Sequence, residues 1–351
     1  MLKTPFFELE KKHNAFFTEF AGWLLPLHFG SAIEEALHVR NDCGFFDISH
    51  MGRIKIKGED AEKLIKKIFS RDELKEGKGH YGFLVSEEGK VIDDIVVFKK
   101  NSSDFFIVVN ASRKEKDIEL LKSEIEKNKI KAEIKDISSE TAFVAIQGPK
   151  AKDKIKELSN IKNLPPPESI IRLKRFSSIE EGDFFISRTG YTGEDGFEIS
   201  LPAELAEKIW KILASIAKPC GLAARDILRL EAGLILYGLD LDENTSPFGS
   251  HLERFISEKS ERFELMKKNF LANPQFLKGV ILDGFPIPQS GDETEPEGKI
   301  TSAVFSAVLK KPIAFARFKE NLKEGERINV KVRGKKIVQG TITKVPFIQK
   351  N

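Results

Sequence analysis

The chain has 351 residues, and its 57 Lys and Arg nearly balance 54 Asp and Glu, leaving a net charge of +3. That length, with 40% apolar residues, allows two or three packed domains. The near-cancelled charge argues against nucleic acid as the main partner, because phosphate binding shows as a clustered basic excess.

Other classes fall away as quickly. No apolar run approaches the roughly 18 residues a membrane span requires. Met1-Leu2-Lys3-Thr4-Pro5 has neither an apolar signal core nor an Arg/Ser-rich presequence, so a cytoplasmic protein is expected. Cys43 and Cys220 stand far apart with no zinc spacing around them, so free thiols and no metal are expected.

Arg53-Ile54-Lys55-Ile56-Lys57 alternates and predicts a strand. Residues 59–70 place Ala61, Leu64, Ile65, Ile68 and Phe69 at helical spacing. Short apolar runs at 91–98 and 105–110 predict strands, and 113–127 is a weaker helix through Ile118, Leu121 and Ile125. Strands follow at 142–146, 184–187 and 197–200, with 160–168, holding Pro165, Pro166 and Pro167, as a surface loop. Helices are expected at 201–218, with Gly221 as a stop, and at 224–237. A polar stretch at 257–274 marks a boundary. Beyond it 277–282, 300–305, 313–318, 328–332 and 338–345 predict strands, with 289–299 as a loop, so the C-terminal part is a small all-β domain.

Three places carry candidate chemistry. Asp93-Asp94 interrupts the apolar run 91–98. Alternation puts Asp94 on the face of Ile92, Val96 and Phe98, and Asp93 with Val91, Ile95 and Val97. At least one carboxylate therefore lies beside buried surface, which is costly unless it is hydrogen-bonded. It is either a functional carboxylate in a mostly dry site or a cap on a bulge.

The second place follows from a count. With 28 Phe and 3 Tyr, the chain packs with Phe, so the hydroxyls of Tyr81, Tyr191 and Tyr237 are expected to be used as hydroxyls. Tyr191 lies in Arg188-Thr189-Gly190-Tyr191-Thr192-Gly193-Glu194-Asp195-Gly196-Phe197-Glu198, a tight loop between strands. It lacks the Gly-Lys-Ser/Thr of a phosphate loop. Either it is an ordinary hairpin or its donors meet a heterocycle, with Glu198 accepting.

The third place is Gly221 through Gly233, where Arg225 opens a helix, and Arg229 and Glu231 sit inside it. An Arg near a cleft suits a carboxylate. Internal pairing of Arg229 with Asp226 or Glu231 is the alternative. His50, beside Gly52, is the best histidine candidate, with a structural role as its alternative.

In order, Thr4-Pro5-Phe6, Phe20-Ala21-Gly22-Trp23, Phe46-Asp47-Ile48-Ser49-His50-Met51-Gly52, Val91-Ile92-Asp93-Asp94, Val108-Val109-Asn110, Ile146-Gln147-Gly148-Pro149, the loop 189–198 and the segment 221–237 resemble the glycine-cleavage T-protein (aminomethyltransferase) family. The likeness covers about residues 1–250. It returns at Ile300-Thr301-Ser302, Leu309-Lys310-Lys311-Pro312-Ile313-Ala314 and Val345-Pro346-Phe347.

The resemblance implies an α+β, three-domain folate-binding fold with a barrel-like C-terminal domain. It divides the chain into 1–256, two intertwined α+β subdomains that bind folate, and 275–349, a β-barrel. It implies transfer of an aminomethyl carbon from the lipoyl arm of H-protein to tetrahydrofolate, with release of ammonia and no metal. It matches Asp94 to the catalytic aspartate and Glu198 and Arg225 to folate contacts, with Tyr81, Asn110 and Tyr191 as folate neighbours.

The chain departs from the family after Thr245-Ser246-Pro247-Phe248. The usual Glu-x-Gly-Leu-x-Trp is Gly249-Ser250-His251-Leu252-Glu253-Arg254. Altered recognition of a standard H-protein is therefore expected. The competing readings are a non-catalytic folate-binding protein, disfavoured because no Lys-Gly-Cys-Tyr segment occurs, and a folate-dependent demethylase.

Overall fold

A computed structural model describes residues 1–349. The chain gathers into two compact units. One comprises Met1–Lys67, Glu73–Gly82 and Asp94–Arg225, and the other Ile68–Asp72, Phe83–Asp93 and the chain from Asp226 onward. Among the described residues no helix is long and apolar enough to cross a membrane.

The first unit is built on a six-stranded sheet in the order Ser178–Glu181, Phe184–Ser187, Gly196–Pro202, Thr141–Gln147, Gly44–Asp47, Lys218–Pro219. Thr141–Gln147 is buried along its whole length, as its apolar run 142–146 requires. Helix Ala206–Ile216 covers the sheet with Ala206, Ile209, Trp210 and Leu213, which join Phe45, Val144, Ile146, Phe197 and Ile199 in one core. The sequence places this helix at 201–218. In the structure the strand runs on through Pro202, whose extended backbone (φ −51°, ψ 136°) delays the helix past the turn Ala203–Leu205.

A five-stranded sheet has the order Lys78–Val85, Val91–Asn101, Asp104–Val109, Gly52–Lys57, Glu133–Asp136. The helices foreseen at 59–70 and 113–127 form as Ala61–Ile68 and Lys114–Asn128.

The second unit contains a closed barrel, in the order Phe276–Leu282, Pro312–Phe318, Gly298–Phe305, Glu293–Glu295, Arg327–Val332, Lys336–Thr343. Phe276–Leu282 pairs with both Pro312–Phe318 and Lys336–Thr343, which closes the ring and leaves no open edge. Val280, Leu282, Ala314, Ala316, Ile328, Val330, Val338 and Ile342 fill it.

Several expectations need correction. Helix 224–237 is Leu222–Glu231, and it ends before Gly233, whose φ of +71° leaves the helical region. Loop 289–299 contains the strand Glu293–Glu295, too short to show an alternation. Loop 160–168 gives way to helix Pro167–Ile171, with proline at its first position. The polar stretch 257–274 contains helix Phe263–Ala272. Its Phe263 and Phe270 rings pack against Phe248 at 5.8 and 5.9 Å, and Phe270 meets Phe276 at 5.8 Å. Its Phe263, Met266 and Phe270 recur at helical spacing, a short pattern among polar neighbours.

Candidate active site

Neighbouring strands of the five-stranded sheet assemble the first cluster. Tyr81 stands on Lys78–Val85, Asp94 on Val91–Asn101, and Asn110 directly follows Asp104–Val109. The Tyr81 hydroxyl donates to Asp94 Oδ2 at 2.9 Å. Asn110 Nδ2 donates to Asp94 Oδ1 at 2.7 Å and to the Asp94 carbonyl at 3.1 Å. Both carboxylate oxygens are thus held, and each keeps lone-pair capacity for another partner.

The alternation of Asp93 and Asp94 holds, but the burial is the reverse of the dry site expected for Asp94. Asp93 is wholly buried, while Asp94 and Val96 on its face are half-buried. Asp94 therefore stays within reach of a ligand.

The loop 188–198 builds the second cluster around Gln147. Gln147 Nε2 donates to the Thr189 carbonyl at 3.1 Å, and the Thr192 hydroxyl donates to Gln147 Oε1 at 2.8 Å. A Cβ on Gly190 would lie 1.9 Å from Gln147 Oε1, so glycine is required for this approach.

The loop's other acids are engaged by arginines. Arg188 forks onto Asp195 at 2.9 and 2.6 Å, and Arg40 Nη1 reaches Glu194 Oε1 at 2.7 Å. Glu198 is left with the Thr189 hydroxyl, which donates to its Oε2 at 2.5 Å. Burial pushes the Glu198 carboxyl above the usual range, against the pull of that hydroxyl and of the Arg225 charge. A ligand N–H would restore the charged form.

Arg225 lies in the first turn of Leu222–Glu231, with its guanidinium over the Tyr191 ring at 4.8 Å. Among the described residues this guanidinium makes no hydrogen bond to the protein, and its Nη1 is sealed from water. Burial pulls its pKa down, partly offset by Glu198 and Tyr191. A buried cation without a hydrogen-bond acceptor is unusual and makes Arg225 a candidate binding group. His50 is also buried, and among the described residues its Nδ1 has no hydrogen-bond partner.

Other sequence candidates are structural. Arg229 donates to Asp226 Oδ1, Asp240 Oδ2 and Ser302 Oγ at 2.7, 2.6 and 2.8 Å. Glu231 Oε1 accepts from Ser306 Oγ and Val308 N at 2.7 and 3.1 Å. Tyr237 donates to the Val91 carbonyl at 2.7 Å, a use of the hydroxyl but not in a site. Sequence reasoning missed Thr189 as the partner of Glu198. It also missed Glu35, a carboxylate with no exposure on helix Ala32–Asn41, whose signal was its place beside buried Ala36 and Val39. Among the described residues no cluster of His, Cys, Asp or Glu is arranged to hold a metal ion.

Comparison with known proteins decides the family. Residues 6–260 match the GCVT N-terminal domain, and residues 276–349 match the glycine cleavage T-protein C-terminal barrel domain. The chain belongs to the glycine cleavage T-protein family. Within that family it is 37% identical to the aminomethyltransferase of Thermotoga maritima, with 99% of this chain and 98% of that protein covered. It is also 37% identical to the aminomethyltransferase of Aquifex aeolicus, covering 99% and 96%. The solved glycine cleavage system aminomethyltransferase T of Bartonella henselae superposes with a TM-score of 0.90 at 28% identity, over 99% of this chain and 98% of that one. The closed barrel is thus the family's C-terminal domain, and the α+β fold is that of the T-protein family.

Proposed function

We propose that the protein moves the aminomethyl carbon of a lipoylated H-protein onto tetrahydrofolate in the cytoplasm, with Asp94 as the catalytic carboxylate. The chain is an aminomethyltransferase, a transferase of one-carbon metabolism in the glycine cleavage system. On this reading residues 1–256 bind folate through Glu198, Arg225, Tyr81, Asn110 and Tyr191, and 275–349 form the barrel domain.

The observation that carries the proposal is the clamp on Asp94: one oxygen on Tyr81, the other on Asn110, with the carboxylate half-buried. Arg225, whose guanidinium has no hydrogen-bond acceptor among the described residues, and the raised Glu198 suit a polar ring edge of the same ligand. A pterin edge brings N–H donors to a carboxylate and an acceptor to a guanidinium. Tetrahydrofolate supplies, when bound, the nitrogen that accepts the carbon. Asp94 then has two tasks. Its oriented carboxylate takes up the proton released at that nitrogen, and its charge opposes the positive charge developing on the transferred carbon. Tyr81 and Asn110 keep the carboxylate aimed, so little reorganisation is required at the moment of transfer.

Asp94→Asn keeps the shape and removes the charge. Turnover with loaded H-protein is expected to fall by about 10²–10⁴, with a much smaller change in tetrahydrofolate affinity. Full activity in Asp94→Asn would overturn the assignment. Binding of folate by the unmodified protein without ammonia release would replace the enzyme with a binding module.

A further inference from the structure

Gln147 is the last residue of the strand Thr141–Gln147, where it pairs with Gly196, and it is wholly buried. Ala142, Val144 and Ile146 turn into the core of the first unit, so alternation turns the Gln147 side chain to the other face. An amide buried there is costly unless it is hydrogen-bonded, and the loop 188–195 supplies most of its partners. Nε2 donates to the Thr189 carbonyl at 3.1 Å and to the Ile146 carbonyl at 3.2 Å, and Oε1 accepts from the Thr192 hydroxyl at 2.8 Å. Cβ atoms at Gly190 and Gly196 would lie 1.9 Å from Oε1 and 2.6 Å from Nε2, so the amide enters the loop only between two glycines.

The loop has other anchors, and they lie elsewhere along it. Arg188 forks onto Asp195 at 2.9 and 2.6 Å. Arg40 Nη1 donates to the Thr192 carbonyl and to Glu194 Oε1, each at 2.7 Å. These bonds fix the loop at Arg188 and from Thr192 onward. Gln147 instead spans Gly190 and Tyr191, holding Thr189 on one side and Thr192 on the other. The Tyr191 ring in turn carries the Arg225 guanidinium, 4.8 Å from its centre. Among the described residues that guanidinium has no hydrogen-bond acceptor, so the ring face is its seat.

We infer, resting on the folate reading above, that Gln147 is a positioning residue for ligand binding: by tying Thr189 to Thr192 it sets the Tyr191 ring, and the ring seats the Arg225 guanidinium for the ligand's acceptor. Gln147 has no exposure, so it meets no ligand itself and acts through Tyr191. A binding group works only while its neighbours hold its geometry, and a buried amide with both donors used is a rigid support. Loss of the amide leaves Arg225 and Tyr191 in the chain but frees the turn between them. The Asp94 clamp stands on the five-stranded sheet and takes no bond from this loop. Binding should therefore suffer while the chemical step is spared, which raises KM and leaves kcat nearly unchanged.

The test uses Gln147→Met in the full-length protein, which keeps the length of the side chain and removes its hydrogen bonds. Calorimetry is expected to show tetrahydrofolate weakened about tenfold, with KM raised to match and kcat lowered by less than about twofold. The chain has 3 Tyr, so labelling with 3-fluorotyrosine gives a sparse ¹⁹F spectrum in which Tyr191→Phe assigns the Tyr191 signal. Gln147→Met should move that signal and leave those of Tyr81 and Tyr237 in place. In a Tyr191→Ala background the same substitution should cost less than about twofold in affinity, because the ring it acts through is gone. Unchanged affinity, an unmoved Tyr191 signal, an equal loss in the Tyr191→Ala background, or a fall in kcat at constant KM would each overturn the inference. If Gln147→Met does not fold, Thr192→Val removes the hydroxyl bond from the loop side and is read in the same way. An unmodified protein that binds no tetrahydrofolate would overturn the folate reading, and the fluorine spectrum, which needs no ligand, would still decide whether Gln147 sets Tyr191.

Discussion

Glu35 and Gly221, 186 positions apart, are joined by a 2.9 Å hydrogen bond from the Gly221 amide to Glu35 Oε2. The other oxygen accepts from Phe29 N at 2.7 Å, and the side chain has no exposure. The Gly221 carbonyl in turn accepts from Arg225 N at 3.1 Å. One carboxylate thus pins the peptide that opens the helix bearing Arg225. Glycine is needed there because a Cβ would lie 2.3 Å from the Leu27 carbonyl oxygen.

This makes Glu35 a positioning residue for Arg225. Glu35→Ala leaves two buried amides without acceptors, at roughly 1–3 kcal/mol each. Glu35→Gln keeps one acceptor. In that variant the KM for tetrahydrofolate should rise several-fold, with kcat changed less. Steady-state kinetics beside thermal denaturation separates the outcomes, and an unchanged KM would limit Glu35 to stability.

Direct contacts with the ligand should weigh more. Glu198→Ala and Arg225→Ala are each expected to cost roughly 1.5–3 kcal/mol of tetrahydrofolate affinity, the range for hydrogen bonds to charged groups. Calorimetry measures both, and unchanged affinity in the two variants would remove these residues from the folate site.

Glu10 and Asp47 form a buried carboxyl pair in the first unit. Among the described residues both Glu10 oxygens and Asp47 Oδ2 lack a hydrogen-bond partner, and burial beside Asp47 favours the protonated Glu10 carboxyl. Burial, then Asp47, raises Glu10 from 4.5 to about 10. The folded state keeps a proton that the unfolded chain releases above 4.5. Stability from this group is therefore full at low pH and is lost as pH rises from about 5 toward about 10. Glu10→Gln, neutral throughout, should flatten the pH dependence of the melting temperature over that window. An unchanged slope would show that Glu10 does not carry this proton.

Arg229 and Asp240 form the buried ion pair of the second unit, with side-chain exposures of 1% and 0%. Thr301 and Ser302 hydroxyls donate to the other Asp240 oxygen at 2.5 and 2.7 Å. Arg229→Met strands that carboxylate and should cost about 3–5 kcal/mol. Replacing both partners together by apolar residues should cost less. Denaturant unfolding of the single and double variants measures the difference.

Much of the fold was legible because apolar periodicity is a local property. Residues 59–70 and 113–127 gave helices within two residues at each end, and the C-terminal strands fell where the short apolar runs lay. Helix Phe263–Ala272 and strand Glu293–Glu295 did not show, since the first repeats only through Phe263, Met266 and Phe270 among polar neighbours and the second is too short to alternate.

For the site, sequence alone determined which residues were out of place: Asp94 in an apolar strand, three tyrosines among 28 phenylalanines, Glu198 closing a glycine-rich loop, Arg225 at a helix start. Each is anomalous against its own neighbours, so no partner was needed to notice it. Partnership was decided only by the tertiary structure. Tyr81 and Asn110 meet on Asp94 from separate strands, Arg229 is spent on Asp240, and among the described residues the side chains of His50 and Arg225 are left without a hydrogen bond. Hydrogen bonds act over about 3 Å, and which groups come that close depends on the register and packing of segments far apart in the chain.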